Sequence, residues 1–297
     1  MHVQVRQPPG DYSELPSPHR LASGILMLSQ FSPLTLLSAA VVAVIVLVAI
    51  AAPFLPLSDP VAQNLSLYLQ PPSPQHLLGT DEFGRDVLSR VVWGARLSLL
   101  AGTVPVLLAF VTGIILGLVS AYYGGILDEM LMRAVDFLFS LPYFLIALIV
   151  VSLLGPGLFH AMLAVAIGLL PSFTRLSRAS ALSIKGLPYV RAAEALGLSK
   201  PRIMFLHILP NYITSMLVFS TVKIGESILS MASLSFLGLG AQPPAAEWGL
   251  MLNDSKDLIL TAPYVLWGPS IALSLTVLSF NMLADGVRDR LDPRYRF

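Results

Sequence analysis

From Pro33 to Leu55 the chain carries no charged residue. About 20 apolar residues suffice to cross a bilayer core of roughly 30 Å, so this run reads as a transmembrane helix. Similar runs follow at Leu97–Tyr122, Leu131–Leu154, Leu158–Thr174, Tyr212–Leu239 and Tyr264–Ala284. The expected fold class is all-α: a polytopic membrane helix bundle of about six transmembrane helices. Composition points the same way, with 55% hydrophobic and 12% charged residues and a mean hydropathy of +0.76. A soluble domain carries about 25% charged residues. The net charge of +1 argues for no polyanionic partner, hence no nucleic acid. The absence of cysteine excludes disulfides, thiolate metal sites and cysteine nucleophiles.

Lysine and arginine placement sets the expected orientation. With the N-terminus cytoplasmic, thirteen basic residues fall inside and four outside, with Lys223 left within a span. Both termini are therefore expected in the cytoplasm. Residues 1–31 are polar and proline-containing and read as a flexible cytoplasmic tail, with a short amphipathic piece at Leu21–Phe31. No compact apolar run with a small-residue cleavage site opens the chain, so no cleaved signal peptide is expected.

The longest polar interruption is Pro188–Asn211, PYVRAAEALGLSKPRIMFLHILPN. It reads as two short helices. Pro188 suits the first turn of one, and Gly197 the left-handed residue that ends it. Tyr189, Ala192, Ala193 and Leu196 share a face at helical spacing, with Arg191 and Glu194 opposite. Ser199 is the expected N-cap of the second helix, Pro201 lies in its first turn, and Pro210 stops it. Such a helix, held between two spans, suits docking into a groove on a soluble partner.

The spacing Ala192-Ala193, Gly197, Leu209-Pro210 resembles the EAA loop of ABC-transporter permeases. Tyr189-Val190-x-Ala192-Ala193 through His207-x-Leu209-Pro210-Asn211 is similar to the dipeptide, oligopeptide and nickel importer branch (DppC/OppC-like). Arg191 stands where that motif has its glutamate, with Glu194 one turn later. Three further blocks resemble the branch in the same order. They are Gly79-Thr80-Asp81 through Ser89-Arg90, Leu234 through Gly249, and Asn281 through Arg294. The resemblance implies an ABC importer type I permease (MetI-like) fold over 32–297, with 175–211 as the ATPase-coupling loop. Tyr189, Arg191, Ala192, Ala193, Glu194, Gly197, Leu209 and Pro210 are its candidate coupling residues. The implied partners are a homologous permease, two ABC ATPase subunits and an extracytoplasmic substrate-binding protein, in the cell inner membrane. ATP and Mg would then sit on the ATPase subunits, and this chain would bind no cofactor.

Local readings complete the expectations. Val87, Leu88, Val91, Val92 and Ala95 form a helical stripe expected to lie along the outer membrane face, with Asp86 and Arg90 spaced as an i,i+4 pair. Asp136 is expected to pair with Arg133, and Trp248 to sit at the membrane–water interface. Lys223 and Glu226 are three apart inside the fifth run, where a charge costs roughly 2.5–3.5 kcal/mol. Two readings stay open for them. They line the translocation pathway and meet the charged ends of a solute, or they form an ion pair buried against the sister subunit.

Other chemistries are poorly served. A P-loop lysine must follow glycine, and the four lysines follow Ile, Ser, Val and Ser. The five histidines are scattered, with only His160 near a span's outer end, so no metal site is expected and peptide is favoured over nickel; glutathione or another small solute remains an alternative. An intramembrane hydrolase would have to use Lys223 with Ser227, without an evident oxyanion hole. A single-chain secondary transporter would be expected to show inverted repeats, and no internal repeat is visible.

Overall fold

The computed structural model describes residues 32–291. The N-terminal tail, the last six residues and the side chains of Arg290 and Leu291 lie outside that description, and with them the expected amphipathic piece and the end of the Asn281–Arg294 block. The described residues are helical throughout, apart from loops and one isolated bridge between Thr80 and Asp86. Helices satisfy their own backbone polar groups, which lipid cannot do.

Helix α1 (Pro33–Ala51) starts at Ser32, whose side chain accepts a hydrogen bond from the Thr35 amide, with Pro33 in the first turn. Its outer face is bare apolar surface, while Thr35, Ser38 and Ala49 are buried. Helix α2 (Val87–Tyr123) has 37 residues and begins at Asp86, which accepts from Ser89 N at 2.7 Å. At 1.5 Å per residue it is about 55 Å long, well beyond a bilayer core. The Val87–Ala95 stripe is therefore not a separate surface helix. It continues the axis of the span, because nothing between it and Leu97 breaks the backbone.

The apolar run 131–154 is not one straight span. Helices α3 (Gly125–Ser140) and α4 (Tyr143–Leu154) meet at a bend of 94°. Pro142 has no amide hydrogen and disfavours helix at the residue before it, and Leu141 is extended accordingly. Helix α5 (Leu158–Lys185) runs past residue 174, so the first part of the 175–211 segment is helix and not loop. Two short helices follow, α6 (Pro188–Ala195) and α7 (Lys200–Arg202). The latter continues as a π-helical stretch Ile203–Ile208 and a tight turn Leu209–Asn211. Helix α8 (Ile213–Phe236), the short α9 (Trp248–Ser255) and α10 (Tyr264–Leu291) complete the bundle.

Glycine sets the closest approaches. A Cβ on Gly113 would lie 2.5 Å from Phe173 Cβ, and one on Gly117 would lie 2.5 Å from the Thr174 carbonyl oxygen. Small residues let backbones meet where lipid supplies no hydrophobic drive. Leu118, Leu169, Phe173, Met216 and Leu234 fill the resulting core.

A second core closes the end of the bundle around Trp248. This tryptophan faces the protein interior: it is 1% exposed, its ring lies against Gly94, and its Nε1 donates to the Val91 carbonyl at 2.9 Å. Glu247 beside it is buried and caps α9, accepting from Gly249 N at 3.0 Å and Leu250 N at 2.8 Å. Burial pushes its carboxyl above the ordinary value, and those two amides pull it back.

The loop between α1 and α2 is pinned by charge. Asp81 accepts from Arg85 Nε at 2.6 Å. Arg90 does not pair with Asp86: it lies 3.6 Å from Asp81 and donates to the carbonyls of Pro60 at 2.9 Å and Ala245 at 3.2 Å. Asp86 is occupied by its cap and by His76 Nδ1 at 2.8 Å. Burial raises the nearby Asp254 carboxyl, against the pull of Arg90.

Alanine at Gly249 would bring a methyl 2.4 Å from the Ala232 carbonyl oxygen, forcing α8 and α9 apart. The expected cost is about 1–3 kcal/mol, read as a lower melting temperature in detergent; an unchanged value would contradict this contact. Arg90→Ala is expected to lose about 1.5–3 kcal/mol by stripping partners from two loop carbonyls. Protease cleavage within residues 56–86 should quicken in the same variant.

Candidate functional site

The loop that holds the candidate coupling residues grows out of α5. Lys185, the last residue of that helix, donates to the Tyr122 carbonyl at 2.6 Å and the Ala121 carbonyl at 3.2 Å, covering the open C-terminus of α2. The chain then enters α6 with Pro188 in the first turn. The helix ends in a Schellman motif: Leu198 N donates to Ala193 O at 3.2 Å, Gly197 N donates to Glu194 O at 2.9 Å, and Gly197 has φ +76°. Both helix-end signals in the sequence act where they stand.

The expected face is divided between two directions. Val190 is fully buried and Ala193 is 6% exposed, both turned onto the bundle. Tyr189 at 43% and Leu196 at 80% point outward with Ala192, Arg191 and Glu194. Ala193 is thus part of the seat of the helix, and Tyr189, Ala192 and Leu196 form its free apolar surface. The Tyr189 hydroxyl and the Asn211 amide both donate to the His207 carbonyl, at 3.3 and 2.6 Å, tying the two halves of the loop together. Leu209 and Pro210 lie in that closing turn. Ser199 occupies the N-cap position of α7, but its side chain makes no capping bond. Ile203, Met204 and Ile208 are buried and anchor the second half.

Above the loop, ion pairs join the helices. Arg178 donates to both oxygens of Asp128, at 2.6 and 2.5 Å, and Ser120 also bonds to Asp128. Asp136 pairs with Arg175 at 2.5 Å and not with Arg133, which takes Glu129 at 2.6 Å. Glutamate four residues before a basic residue is the favoured helical arrangement, and Arg175 comes from the facing helix to claim Asp136. No local spacing pointed to these pairs, since their members are 39 and 50 residues apart.

Lys223 and Glu226 lie together on α8, Nζ to Oε2 at 2.5 Å. They line a cavity of about 280 Å³ with Leu141, Tyr143, Gly168 and Ser172. Tyr143 is the first residue of α4, so the bend of the third apolar run supplies one wall. Its ring rests on Gly168, where a Cβ would lie 2.4 Å from Cδ2. Its hydroxyl is buried, with the Ser230 side chain near it but no well-formed hydrogen bond. Ser172 also borders a second cavity of about 740 Å³, lined by Arg175, Ser215, Phe219 and Arg288. Ser227 is buried with its hydroxyl unpartnered, and Lys223 is held by Glu226, so the Ser–Lys dyad of a hydrolase is not assembled. Sequence reading missed Tyr143, because a tyrosine in an apolar run carries no signal of what its hydroxyl faces.

Residues 113–297 match the family described as binding-protein-dependent transport system inner membrane component. The glutathione transport system permease protein GsiD of Pectobacterium atrosepticum is 47% identical over 225 residues, 76% of this chain and 75% of its own length. The dipeptide transport system permease protein DppC of Alkalihalophilus pseudofirmus is 42% identical over 289 residues, 97% of this chain and 94% of its own. Among solved structures, an inward-facing MetNI methionine ABC transporter chain aligns with a TM-score of 0.54 at 19% identity. It covers 67% of this chain and 95% of that one, a likeness of fold. With its helical bundle and candidate membrane spans, the chain belongs to the family of inner membrane components of binding-protein-dependent transport systems.

Proposed function

We propose that this chain is one permease subunit of an ATP-driven importer of peptides. It pairs with a homologous permease to form the translocation pathway, docks two cytoplasmic ABC ATPases through residues 175–211, and receives solute from an extracytoplasmic binding protein. Both termini lie in the cytoplasm. ATP and Mg belong to the ATPases, and this chain carries no catalytic residue or metal of its own.

The observation that carries the reading is the construction of α6. A helix of eight residues presents Tyr189, Ala192 and Leu196 outward while Val190 and Ala193 hold it to the bundle. An amphipathic helix with an exposed apolar face fits a groove on a soluble partner. Helix α5 leads from this loop to Gly168 and Ser172 in the cavity wall, so a push on the loop acts on the pathway through a single helix. Closure of the ATPases on ATP would move α6, tilt α5 and open the cavity alternately to the two sides. The Lys223–Glu226 pair lies on that pathway.

Peptide is favoured as the solute because the relatives named above carry dipeptide and glutathione in their names, and glutathione is itself a peptide. The test is uptake into proteoliposomes containing both permeases, the ATPases, the binding protein and internal ATP. A dipeptide, a longer peptide, glutathione and nickel are offered in parallel. ATP-dependent accumulation of a peptide is the expected result; accumulation of nickel alone would replace peptide by metal.

The two faces of α6 respond differently. Leu196→Asp is expected to leave assembly of the permease pair and its melting temperature unchanged while cutting uptake at least tenfold. Ala193→Asp places an unpaired charge at the seat and is expected to lower the melting temperature as well. Gly197→Pro cannot adopt φ +76° and should abolish uptake in protein that still inserts. Normal transport in all three variants would remove the coupling role.

A further inference from the structure

We propose that Lys223, Glu226 and the Tyr143 hydroxyl form a solute-binding subsite within the membrane for the charged ends of a zwitterion. The proposal deepens the importer reading and rests on it. Three observations meet at one place. A cation and an anion sit side by side on one cavity wall, at a depth where charge is expensive. The same cavity carries the buried Tyr143 hydroxyl, which has Ser230 near it but no well-formed hydrogen bond, so it retains capacity to bond a solute. The wall itself exists because the third apolar run breaks at Leu141–Pro142, and broken helices in membranes are tolerated where they line a cavity.

The chemistry selects the ligand. Lys223 Nζ and Glu226 carboxylate neutralise each other when the cavity holds no solute. A solute bearing one ammonium and one carboxylate can exchange with that pair, its carboxylate going to Lys223 and its ammonium to Glu226. Net charge in the membrane stays at zero before, during and after the exchange, so no step requires an uncompensated charge. A solute of one sign would leave either the lysine or the glutamate unpaired. The Glu226 side chain is 43% exposed and so remains accessible, whereas the Lys223 ammonium is held 5.5 Å over the Phe219 ring, a weaker partner it can share. The Tyr143 hydroxyl can donate to the solute carboxylate or accept from its ammonium. A volume of about 280 Å³ is at the small end for a ligand site. It suits an amino-acid- or dipeptide-sized solute, or the end of a longer peptide lying on into the adjoining cavity of about 740 Å³.

The experiment measures uptake of radiolabelled dialanine in the complete reconstituted complex, with binding protein and ATPases unchanged. Size-exclusion yield and melting temperature are recorded for every variant. Wild type must accumulate dialanine; if it takes up only a longer peptide or glutathione, that peptide is the labelled solute for every variant, and if it takes up no peptide the reading beneath the proposal fails. Lys223→Ala and Glu226→Ala are each expected to lower uptake at least tenfold, the loss of about one charged hydrogen bond. The reversed pair, K223E with E226K, is expected to recover most of it, because a zwitterion can bind the other way round. Tyr143→Phe removes a hydroxyl whose contact with Ser230 falls short of a well-formed hydrogen bond, so assembly and melting temperature should change little while uptake falls several-fold. Dialanine uptake at the wild-type rate in the single variants would overturn the subsite. So would a reversed pair as inactive as the single variants, which would mark a structural ion pair of fixed polarity. An unaffected Tyr143→Phe would remove the hydroxyl from it.

Discussion

The structure depends on how closely α2 and α5 approach. In lipid, burial of apolar side chains drives little association, so helices hold together by packing and by paired polar groups. Gly113 and Gly117 let the α5 backbone come within van der Waals reach of α2, where any side chain would collide. The contact is locked at its inner end by Arg178 on Asp128, with Ser120 joining, and by Lys185 on the last carbonyls of α2. Helix α5 connects the two features of interest: its C-terminal end carries the loop, and its middle carries Gly168, against which the Tyr143 ring rests.

The two ends of the bundle are built for different mechanical jobs. The end at Trp248 is dense and pinned: Trp248 fills a gap left by Gly94, and Arg90 stitches two loops through their carbonyls. The end at α6 holds a short helix by two small apolar contacts, Val190 and Ala193, and leaves the rest of its surface free. The helix at that end is therefore the more lightly seated of the two.

How much of this was legible in the sequence follows from the range of each signal. Helix existence came from uncharged length, and the ends of α6 from Pro188 and Gly197, because both act within one turn. The 94° bend was hidden, since hydropathy counts Pro142 among apolar neighbours and ignores its missing amide. Periodicity grouped Tyr189, Ala192, Ala193 and Leu196 on one face, but it could not say that Val190 and Ala193 were the pair turned inward. The partners of Asp136 and Arg90 were misjudged for one reason, and the burial of Trp248 was missed for the same one. Local spacing offers a neighbour, and the folded bundle brings a stronger one from far along the chain.

The bend between α3 and α4 also bears on how the chain is threaded. Five described helices are long enough to cross alone, while the 12 residues of α4 reach only about 18 Å, short of a bilayer core. The number of crossings is therefore even or odd according to whether this bent pair passes through or turns back. An even count returns the C-terminus to the side from which the chain began; an odd count strands it opposite. The side on which α6 finally stands is decided by one kinked pair nearly fifty residues upstream, so an insertion error there would put an intact helix on the opposite side of the membrane.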